Sequence, residues 1–409
     1  MTRQYPSRRN SFGRGDDMSW KRTLVINDFP PSTLAGGPLI MRQCLLGLPS
    51  DHLFVLCCAS FYNSQGDVVS STYLPCYHEM VRGFPVGIIR PRRYGVVIEM
   101  NLNALRVARI TKRGIRICKQ EKIEAIVTGT VNAEFTIAAA RVAKACGIPL
   151  YIWEPDDWFA ANYAPAVNLL RGERIASLRA AAHIWTVSKP MQALFHSRYG
   201  LESEPLHHVL DVEKVKELAA SFHPPTDVIR VIYTGSINDM FRDTLAWFSA
   251  ILNEGLKIDD KQVELTIWTA HKPTSYLGPH VHWGGFVPVE QVPEKLGASH
   301  IAVVLVSFTS RPDVKSMVET SIYTKTVDYF AAGTPTLIVA PSYAAEIAAF
   351  GEGAEVLTEL SKDSLVQALN TLILDNSKRE AVRQAAFKLV RDHHSFAARE
   401  RIFLSKFKK

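Results

Sequence analysis

Residues Tyr323–Pro335 read "YTKTVDYFAAGTP", and the apolar run "TLIVA" follows directly at positions 336–340. The apolar residues recur at helical spacing, and a Gly-Thr-Pro turn stops the pattern before the apolar run begins. The stretch therefore predicts a helix, a tight turn and a buried strand. Lys325 and Asp328 lie three residues apart, so both occupy one face of the predicted helix. They form either a surface ion pair or a site that binds a charged, hydroxylated ligand.

The same alternation of short apolar runs and helical runs extends along the chain from residue 23. It predicts an α/β fold with parallel sheets and helices on both faces, in two doubly wound halves that face a cleft. A ligand is then expected between the carboxyl ends of the two sets of strands. The predicted divisions are a disordered basic tail at 1–22, a first Rossmann-like domain at 23–211, a linker at 212–228, a second Rossmann-like domain at 229–392 and a final helix at 393–409.

Composition sets further bounds. The 409 residues are 47% hydrophobic, which is enough apolar material for two or three domains with their own cores. The six cysteines form no CxxC pair, which favours buried thiols in a reducing cytoplasm over disulfides. No run approaches the about 20 apolar residues of a membrane span, and the N-terminus lacks the apolar core of a secretory signal. We therefore expect a cytoplasmic protein.

Two glycine-containing loops are candidate ligand contacts. Gly36 and Gly37 join the first predicted strand to the first helix, where free backbone amides and a helix N-terminus suit a phosphate. A simple tight turn explains the same residues. In "HWGGFVP", the backbone of Phe286 and Val287 follows a Gly-Gly turn and can border a planar base. Neither loop is a GxGxxG motif or a P-loop, which argues against a conventional dinucleotide or ATP site.

A second cation is predicted near the start of another helix. Arg242, in "YTGSINDMFRD", follows the first strand of the second half, and its guanidinium can contact a diphosphate with a forked pair of hydrogen bonds. The alternative is an exposed arginine that pairs with Asp239 or Asp243.

The helix of Lys325 and Asp328 offers three features in order. Thr320 or Ser321 is expected to cap its N-terminus, which leaves amide hydrogens and the positive end of the dipole for a ligand. Lys325 adds a full positive charge, and Asp328 adds a carboxylate one turn further on. Two phosphates and a ribose diol would use all three features in that order.

The first half contributes weaker candidates. Asp156, Asp157 and Trp158 follow the predicted strand "PLYIWE", where they either contact an acceptor or form a structural loop. The two adjacent carboxylates point apart in an extended chain, and no DxD pair ends a strand, so we expect no obligatory metal. His207 and His208 lie at the end of this half and are minor candidates for ligand contact.

The net charge of +7 is concentrated in part between residues 90 and 119. Residues 102–119 can form an amphipathic basic helix that contacts an anionic membrane surface, and a solvated helix face is the alternative. Nucleic-acid binding would suit the charge, but no recognisable motif supports it. The basic residues are Arg90, Arg92, Arg93, Arg106, Arg109, Lys112, Arg113, Arg116 and Lys119.

Several motifs together resemble those of the retaining nucleotide-sugar glycosyltransferases of the GT-B fold (glycosyl transferases group 1, family 4-like). The resemblance extends from about Thr23 to the C-terminus, and the pattern Lys, acidic residue, Tyr, Ala, Gly, Pro is its most specific part. The stretches that carry it are "FPPSTLAGG", "ASLRAAAHIWTVSKPMQALFHSRYG", "VIYTGSINDMFRD", "HWGGFVP" and "YTKTVDYFAAGTPTLI".

The resemblance implies an acceptor domain at 23–211, a nucleotide-sugar domain at 229–392 and a final helix that crosses back to the first domain. It implies that Arg242 and Lys325 hold the diphosphate as the catalytic residues. The implied donor-binding residues are Gly36, Gly37, Phe286, Val287, Glu319, Thr320, Ser321 and Asp328, and the implied acceptor residues are Asp156, Asp157 and Trp158.

The sequence departs from the family's pattern at three positions. Asp328 stands where the family usually has Glu, Thr320 replaces a second Glu with Glu319 one place away, and Ser236 replaces the commoner Arg. These departures affect the contacts to the donor sugar more than those to the diphosphate.

The sequence thus predicts a glycosyltransferase that moves a sugar from a nucleotide-diphosphate sugar to a glycan or lipid-linked acceptor. Retention, no metal, no cofactor other than the donor substrate, and a role in cell-surface polysaccharide or glycoconjugate synthesis are expected. Its partners would be the donor, the acceptor and the anionic cytoplasmic face of the membrane, where the protein is peripheral. The alternatives are a nucleotide-sugar 2-epimerase on the same fold and a non-catalytic sugar-nucleotide binding protein.

Overall fold

The structure is a computed structural model, and only part of the chain is described. Trp158, Arg90, Arg92, Arg93 and nearly all of the predicted basic tail lie outside the described residues. The side chains of residues 58, 77–81 and 95–102 are also outside the description. The described residues are 19–32, 36–58, 77–81, 95–129, 132–157 and 170–409.

The chain divides into two compact units. Unit 1 takes the residues up to Val187, together with Met191–Leu206 and Arg399–Lys409. Unit 2 takes Ser188–Pro190 and His207–Ala398. The end of the chain is therefore part of unit 1, where Lys21 donates its backbone N–H to the Phe407 carbonyl over 2.8 Å.

Unit 1 alternates strands and helices along the sequence. Its strands are β1 (Thr23–Ile26), β2 (Leu53–Cys58), β3 (Tyr77–Val81), β4 (Ala125–Thr128), β5 (Leu150–Glu154), β6 (His183–Thr186) and β7 (Glu204–Pro205). Its helices are α1 (Gly36–Leu45), α2 (Gly95–Glu121), α3 (Ala133–Cys146), α4 (Arg171–Arg179) and α5 (Lys189–Tyr199).

The unit 1 sheet is parallel and has the order β3-β2-β1-β4-β5-β6-β7. Strands β1, β4 and β5 are buried at every residue, as expected where helices cover both faces of a parallel sheet. Their carboxyl ends meet at one edge, where Asn27 accepts the backbone N–H of Gly129 over 2.8 Å. The doubly wound α/β fold predicted for this part of the chain is confirmed.

Unit 2 repeats the pattern. Its strands are β8 (Val228–Thr234), β9 (Lys257–Ile258), β10 (Lys261–Trp268), β11 (Val281–Gly285), β12 (Ile301–Leu305), β13 (Thr336–Val339) and β14 (Glu355–Leu357). Its helices are α6 (Val212–Ala220), α7 (Arg242–Asn253), α8 (Val292–Gly297), α9 (Pro312–Thr320), α10 (Thr324–Ala332), α11 (Ala345–Phe350), α12 (Lys362–Leu374) and α13 (Asn376–His393), and α14 (Phe396–Ile402) runs from unit 2 into unit 1.

The unit 2 sheet has the order β11-β10-β8-β12-β13-β14 in parallel pairs, and the short β9 joins β10 in the antiparallel sense. Strands β8, β12 and β13 are neighbours in its centre. The loops that follow these strands therefore lie at the same edge of the sheet, which is the usual binding edge of an open α/β sheet.

The predicted basic helix is the carboxyl part of α2. It is amphipathic, and its apolar side packs within unit 1: a Cβ added to Gly114 would lie 2.7 Å from a methyl carbon of Val142 in α3. A membrane contact of this helix would therefore use charge rather than buried apolar area. The exposed basic residues are Arg109, Lys112, Arg116 and Lys119, and the buried apolar residues are Val107, Ile110 and Ile117.

Three general features of the described chain bear on function. None of its helices combines the length and the apolar character needed to cross a bilayer. Across these same residues, no three His, Cys, Asp or Glu side chains converge as they would around a metal ion. The described cysteines are free thiols, at Cys44, Cys57, Cys118 and Cys146.

Candidate functional site

Helix α10 lies at the carboxyl edge of the unit 2 sheet and ends as its sequence predicts. Gly333 takes the left-handed conformation (φ 70°), and its backbone N–H bonds the Phe330 carbonyl over 3.1 Å. Glycine adopts this conformation without a steric cost, so it closes the helix before the turn into β13. The predicted helix, turn and strand are confirmed.

The predicted cap of this helix is wrong. Pro312 begins a separate helix, α9, which takes Thr320 into its last turn, where the Thr320 hydroxyl donates to the Ser316 carbonyl over 2.9 Å. Ser321 follows α9 in an extended conformation, and α10 begins only at Thr324. Neither side chain therefore caps α10. The sequence argument missed the extra helix because it placed the boundary one turn too early.

The N-terminus of α10 is capped from another helix. Glu346 of α11 is fully buried, and its carboxylate accepts the Tyr323 backbone N–H over 3.0 Å and the Thr326 hydroxyl. Burial raises the pKa of Glu346 from 4.5 to about 8, and Lys325 opposes that shift. An acidic side chain is thus held at the positive end of the helix dipole.

Lys325 lies in a buried aromatic site beneath the loop that follows β8. Its ammonium donates to the Tyr233 hydroxyl over 2.8 Å and lies 3.9 Å and 3.8 Å from the ring centres of Tyr233 and Phe241. Burial lowers the pKa of Lys325 from 10.5 to about 7, while the charge of Glu346 acts in the opposite direction. A bound anion would stabilise the charged form of this lysine.

The loop above Lys325 is shaped by Gly235 and Ser236. The Tyr233 hydroxyl, which accepts from Lys325, donates in turn to the Ser236 carbonyl over 2.8 Å. Gly235 has φ +103°, and a Cβ there would lie 3.8 Å from the Lys325 side chain. The glycine therefore permits the turn that brings this loop next to the lysine.

Asp328 lies three residues after Lys325 on α10. Its Oδ1 is 3.2 Å from Nε2 of His208, whose ring is fully buried, whereas the Asp328 side chain is 21% exposed. The predicted cation and carboxylate are therefore on the same helix and have different partners, so they do not form an ion pair with each other.

Arg242 begins α7 at the same edge, and its side chain is 62% exposed. It contacts Asp239 over 3.1 Å, and the other oxygen of Asp239 contacts Arg311 over 2.9 Å. Arg242 directly follows Phe241, whose ring packs against Lys325. The β8–α7 loop therefore holds both predicted cations: Lys325 is buried under it and Arg242 is exposed at its end.

The remaining unit 2 candidates are close to the surface. Phe286 follows β11 and is 63% exposed, and Val287 is half-buried beside it. Glu319 is exposed on α9 and forms a 3.8 Å contact with Lys315. The structure places these residues on loops or helix ends, and within the described part of the chain none of them forms a hydrogen bond or ion pair with Lys325 or Asp328.

The unit 1 candidates differ among themselves. Gly36 and Gly37 open α1, and a Cβ added to Gly36 would meet no atom within 4 Å. Asp157 is buried, and its two oxygens contact Arg198 over 3.0 Å and Tyr199 over 3.1 Å. Asp157 thus anchors α5, while Asp156 is half-buried.

Sequence reasoning missed three residues around Lys325: Tyr233 and Phe241, whose rings it contacts, and Glu346, whose charge acts on it. His208 was named as a minor candidate for ligand contact, but its contact with Asp328 was not predicted. A single carboxylate in the otherwise apolar "YAAEIAAF" is a signal that would have singled out Glu346. The aromatic residues carry no such signal, because they are indistinguishable from core residues in the sequence.

Comparison with known proteins bears on the fold of the chain. A family model described as glycosyl transferase-like matches residues 250–405, and none of the curated protein sequences compared with the chain matches it. Similar solved structures include Anabaena HepE in complex with UDP, with 13% identity over 94% of this chain and 98% of that chain and a TM-score of 0.64.

Two further structures are similar. Sucrose-phosphate synthase of Thermosynechococcus elongatus has 12% identity, covers 92% of this chain and 96% of its own, and gives a TM-score of 0.66. Trehalose 6-phosphate synthase of Burkholderia multivorans has 9% identity, covers 95% and 96%, and gives 0.64. These likenesses extend over nearly the whole of both chains, and they confirm the predicted fold.

Proposed function

We propose that this chain, which has the GT-B fold of the solved structures it resembles, is a transferase that moves a sugar from a nucleoside diphosphate sugar to a hydroxylated acceptor. One observation carries this proposal. Helix α10 bears a buried Lys325, whose pKa is lowered to about 7, and a partly exposed Asp328 three residues later. Structures of the similar HepE contain UDP, UDP with glucose, and UDP-glucose, which supports a nucleotide-sugar donor here.

The chemistry requires charge neutralisation at the leaving group. Cleavage of the bond between sugar and diphosphate develops negative charge on the leaving oxygen, and preorganised cations in a site of low dielectric stabilise it. Lys325 would bind the diphosphate from below the β8–α7 loop, and Arg242 would bind it from the loop's exposed end. Binding of the diphosphate would return Lys325 to its charged form, so the full charge is present when the leaving group needs it.

The other parts of the donor would contact the same edge of unit 2. Asp328 would accept hydrogen bonds from the ribose hydroxyls, and the exposed ring of Phe286 with Val287 would border the base. Glu319, Thr320 and Ser321 would lie towards the sugar. In unit 1, Gly36 and Gly37 would contact the donor phosphate or sugar, and Asp156 would contact the acceptor.

The finer features of the activity belong to the proposal as well. We expect retention of the anomeric configuration. We also expect no metal requirement, since the side chains of Lys325 and Arg242 would supply positive charge to the diphosphate. The acceptor is a glycan or lipid-linked glycan for a cell-surface polymer. The exposed basic residues of α2 would hold the protein at the anionic cytoplasmic membrane face by charge.

The test is a binding and turnover series with UDP-, GDP- and ADP-sugars. Tight binding with slow hydrolysis or transfer, undiminished by EDTA, is the expected result. Formation of an isomerised nucleotide sugar would indicate an epimerase instead of a transferase. Tight binding without turnover would indicate a non-catalytic binding protein.

The Arg242→Ala variant sharpens the test. It should weaken binding of the nucleoside diphosphate by ~1–3 kcal/mol, because a charge-assisted contact is lost. Lys362→Ala is the control, since Lys362 is likewise exposed and ion-paired, at 2.7 Å from Glu254. Equal affinities of the wild type and Arg242→Ala, measured by calorimetry, would reject the placement of the diphosphate.

A further inference from the structure

Two consecutive histidines contact the α10 segment from outside it. His207 Nε2 lies 3.1 Å from the Ile322 carbonyl, just before α10 begins, and His208 Nε2 lies 3.2 Å from Asp328 Oδ1. Both rings are buried. The dipeptide therefore holds the helix at two places, at its entry and at the carboxylate of Asp328.

The hydrogen bonds determine which nitrogen of His208 carries the proton. Nδ1 of His208 is buried and has no hydrogen-bond partner among the described residues. A proton on that nitrogen would be a buried donor without an acceptor, which is costly. The neutral ring with its proton on Nε2 avoids that cost, and Nε2–H then donates to Asp328.

The backbone of His208 is itself braced. His394 Nδ1 donates to the His208 carbonyl over 2.9 Å, and the Leu210 N–H donates to the His394 carbonyl over 2.9 Å. Burial lowers the pKa of His394 to about 4, so this ring is neutral at physiological pH. The His208 backbone is therefore held by His394, whose charge does not change near physiological pH.

The contact leaves Asp328 with one oxygen for a ligand. Oδ1 faces the buried His208, while the side chain as a whole is 21% exposed, and Oδ2 has no hydrogen bond among the described residues. An aspartate has one methylene less than a glutamate, so its carboxylate reaches less far and its orientation matters more. A donor fixed behind it selects one orientation of the carboxylate plane.

We propose that His208 is a positioning residue that orients Asp328, so that the free Oδ2 accepts a hydrogen bond from the vicinal hydroxyls of a nucleotide ribose. This inference rests on the proposed function, because it takes the ligand to be a nucleoside diphosphate sugar. It makes recognition of the ribose depend on a residue 120 positions away from Asp328. Neither residue suffices alone: the histidine is buried, and without it Asp328 Oδ1 loses the hydrogen bond that the described residues give it.

The first experiment measures preference for the ribose hydroxyl. Calorimetry would compare UDP with 2′-deoxy-UDP for the wild type, His208→Leu and His208→Gln. We expect the wild type to prefer UDP by ~10-fold, His208→Leu to lose most of that preference, and His208→Gln to recover it, since its amide is again a donor. His207→Gln, a buried neighbour that contacts a carbonyl instead of Asp328, should keep the preference.

An undiminished preference in His208→Leu would overturn the proposal. A structural role alone would lower stability in His208→Leu and His207→Gln without changing the ratio of the two affinities, so the ratio separates positioning from folding.

A second experiment needs no ligand. Urea unfolding of His208→Leu, Asp328→Ala and the double variant forms a cycle, and we expect coupling of about fivefold in the unfolding constant. If the effects of the two substitutions on the unfolding constant were additive, the contact between His208 and Asp328 would contribute nothing and the proposal would be overturned. Coupling in a protein that binds no UDP, GDP or ADP would instead reject the ribose assignment together with the proposed function.

Discussion

Two buried basic side chains, Arg174 in unit 1 and Lys325 in unit 2, have different kinds of partner. In unit 1, Arg174 contacts Glu154 over 2.7 Å, and both side chains are 1% exposed. In unit 2, Lys325 is buried as well, but its hydrogen-bond partner is the neutral hydroxyl of Tyr233. No carboxylate in the described chain lies within ion-pair distance of Lys325.

The difference indicates what each charge is for. A buried ion pair offsets the desolvation of both groups within the protein, so it leaves little charge for a ligand. A buried ammonium without a carboxylate partner retains much of its desolvation cost, and an incoming anion can supply the missing partner. Glu154 illustrates the first case: burial raises its pKa to about 7, and the charge of Arg174 opposes the shift.

The largest expected effect follows from breaking the unit 1 pair. Glu154→Ala removes the carboxylate that Arg174 contacts while the guanidinium stays buried, so unfolding should become easier by about 3–5 kcal/mol, measured by urea denaturation. Replacing both residues, as Glu154→Leu with Arg174→Met, should recover most of the loss. If Glu154→Ala were as stable as the wild type, the Arg174–Glu154 ion pair would not stabilise unit 1, and the contrast with Lys325 would fail.

The second effect comes from Lys325→Met, which keeps most of the length of the side chain and removes its charge. Nucleoside diphosphate binding should weaken by ~1–3 kcal/mol, whereas the free energy of unfolding at pH 7 should stay equal or rise, because a desolvated cation is gone. Calorimetry and urea denaturation measure the two quantities, with Lys362→Met as the exposed control. A large loss of stability with unchanged affinity would make Lys325 a structural residue like Arg174.

The smallest effect is a pH dependence of Lys325 itself. Its folded pKa of about 7 lies below the ordinary 10.5, so between these values the unfolded chain binds more protons and stability rises with pH. Relative to Lys325→Met, the wild type should gain about 1 kcal/mol of stability from pH 7 to 8, and its affinity for the diphosphate should fall.

Glu346 titrates in the same range, with a pKa of about 8, and it is the acidic group that acts on Lys325. Subtracting the Lys325→Met curve therefore leaves the titration of Lys325 together with its interaction with Glu346, because Lys325 lowers the pKa of Glu346 in the wild type only. Parallel curves for the two proteins would show that the lysine keeps its ordinary pKa.

The fold was predictable because its signals are local. The helix of Tyr323–Pro335, its glycine stop and the strand after it follow from apolar spacing and from the conformational freedom of Gly333. The cap was mispredicted, since whether Thr320 ends one helix or begins the next depends on where Pro312 starts α9.

The partners in the candidate site were not predictable from local spacing. Tyr233 lies 92 positions from Lys325, His208 lies 120 from Asp328, and Glu346 lies 20 from Thr326. The parallel sheet order brings the loops after β8, β12 and β13 to one edge, and only that arrangement makes these residues neighbours.

The order of residues alone therefore established two doubly wound α/β halves and a cation three places before a carboxylate on one helix, because periodicity and turn chemistry act over a few residues. Folding in three dimensions decided the state of those two groups. It buried Lys325 against aromatic rings and placed Asp328 on His208, and desolvation and hydrogen-bond geometry depend on atoms that are distant in the chain.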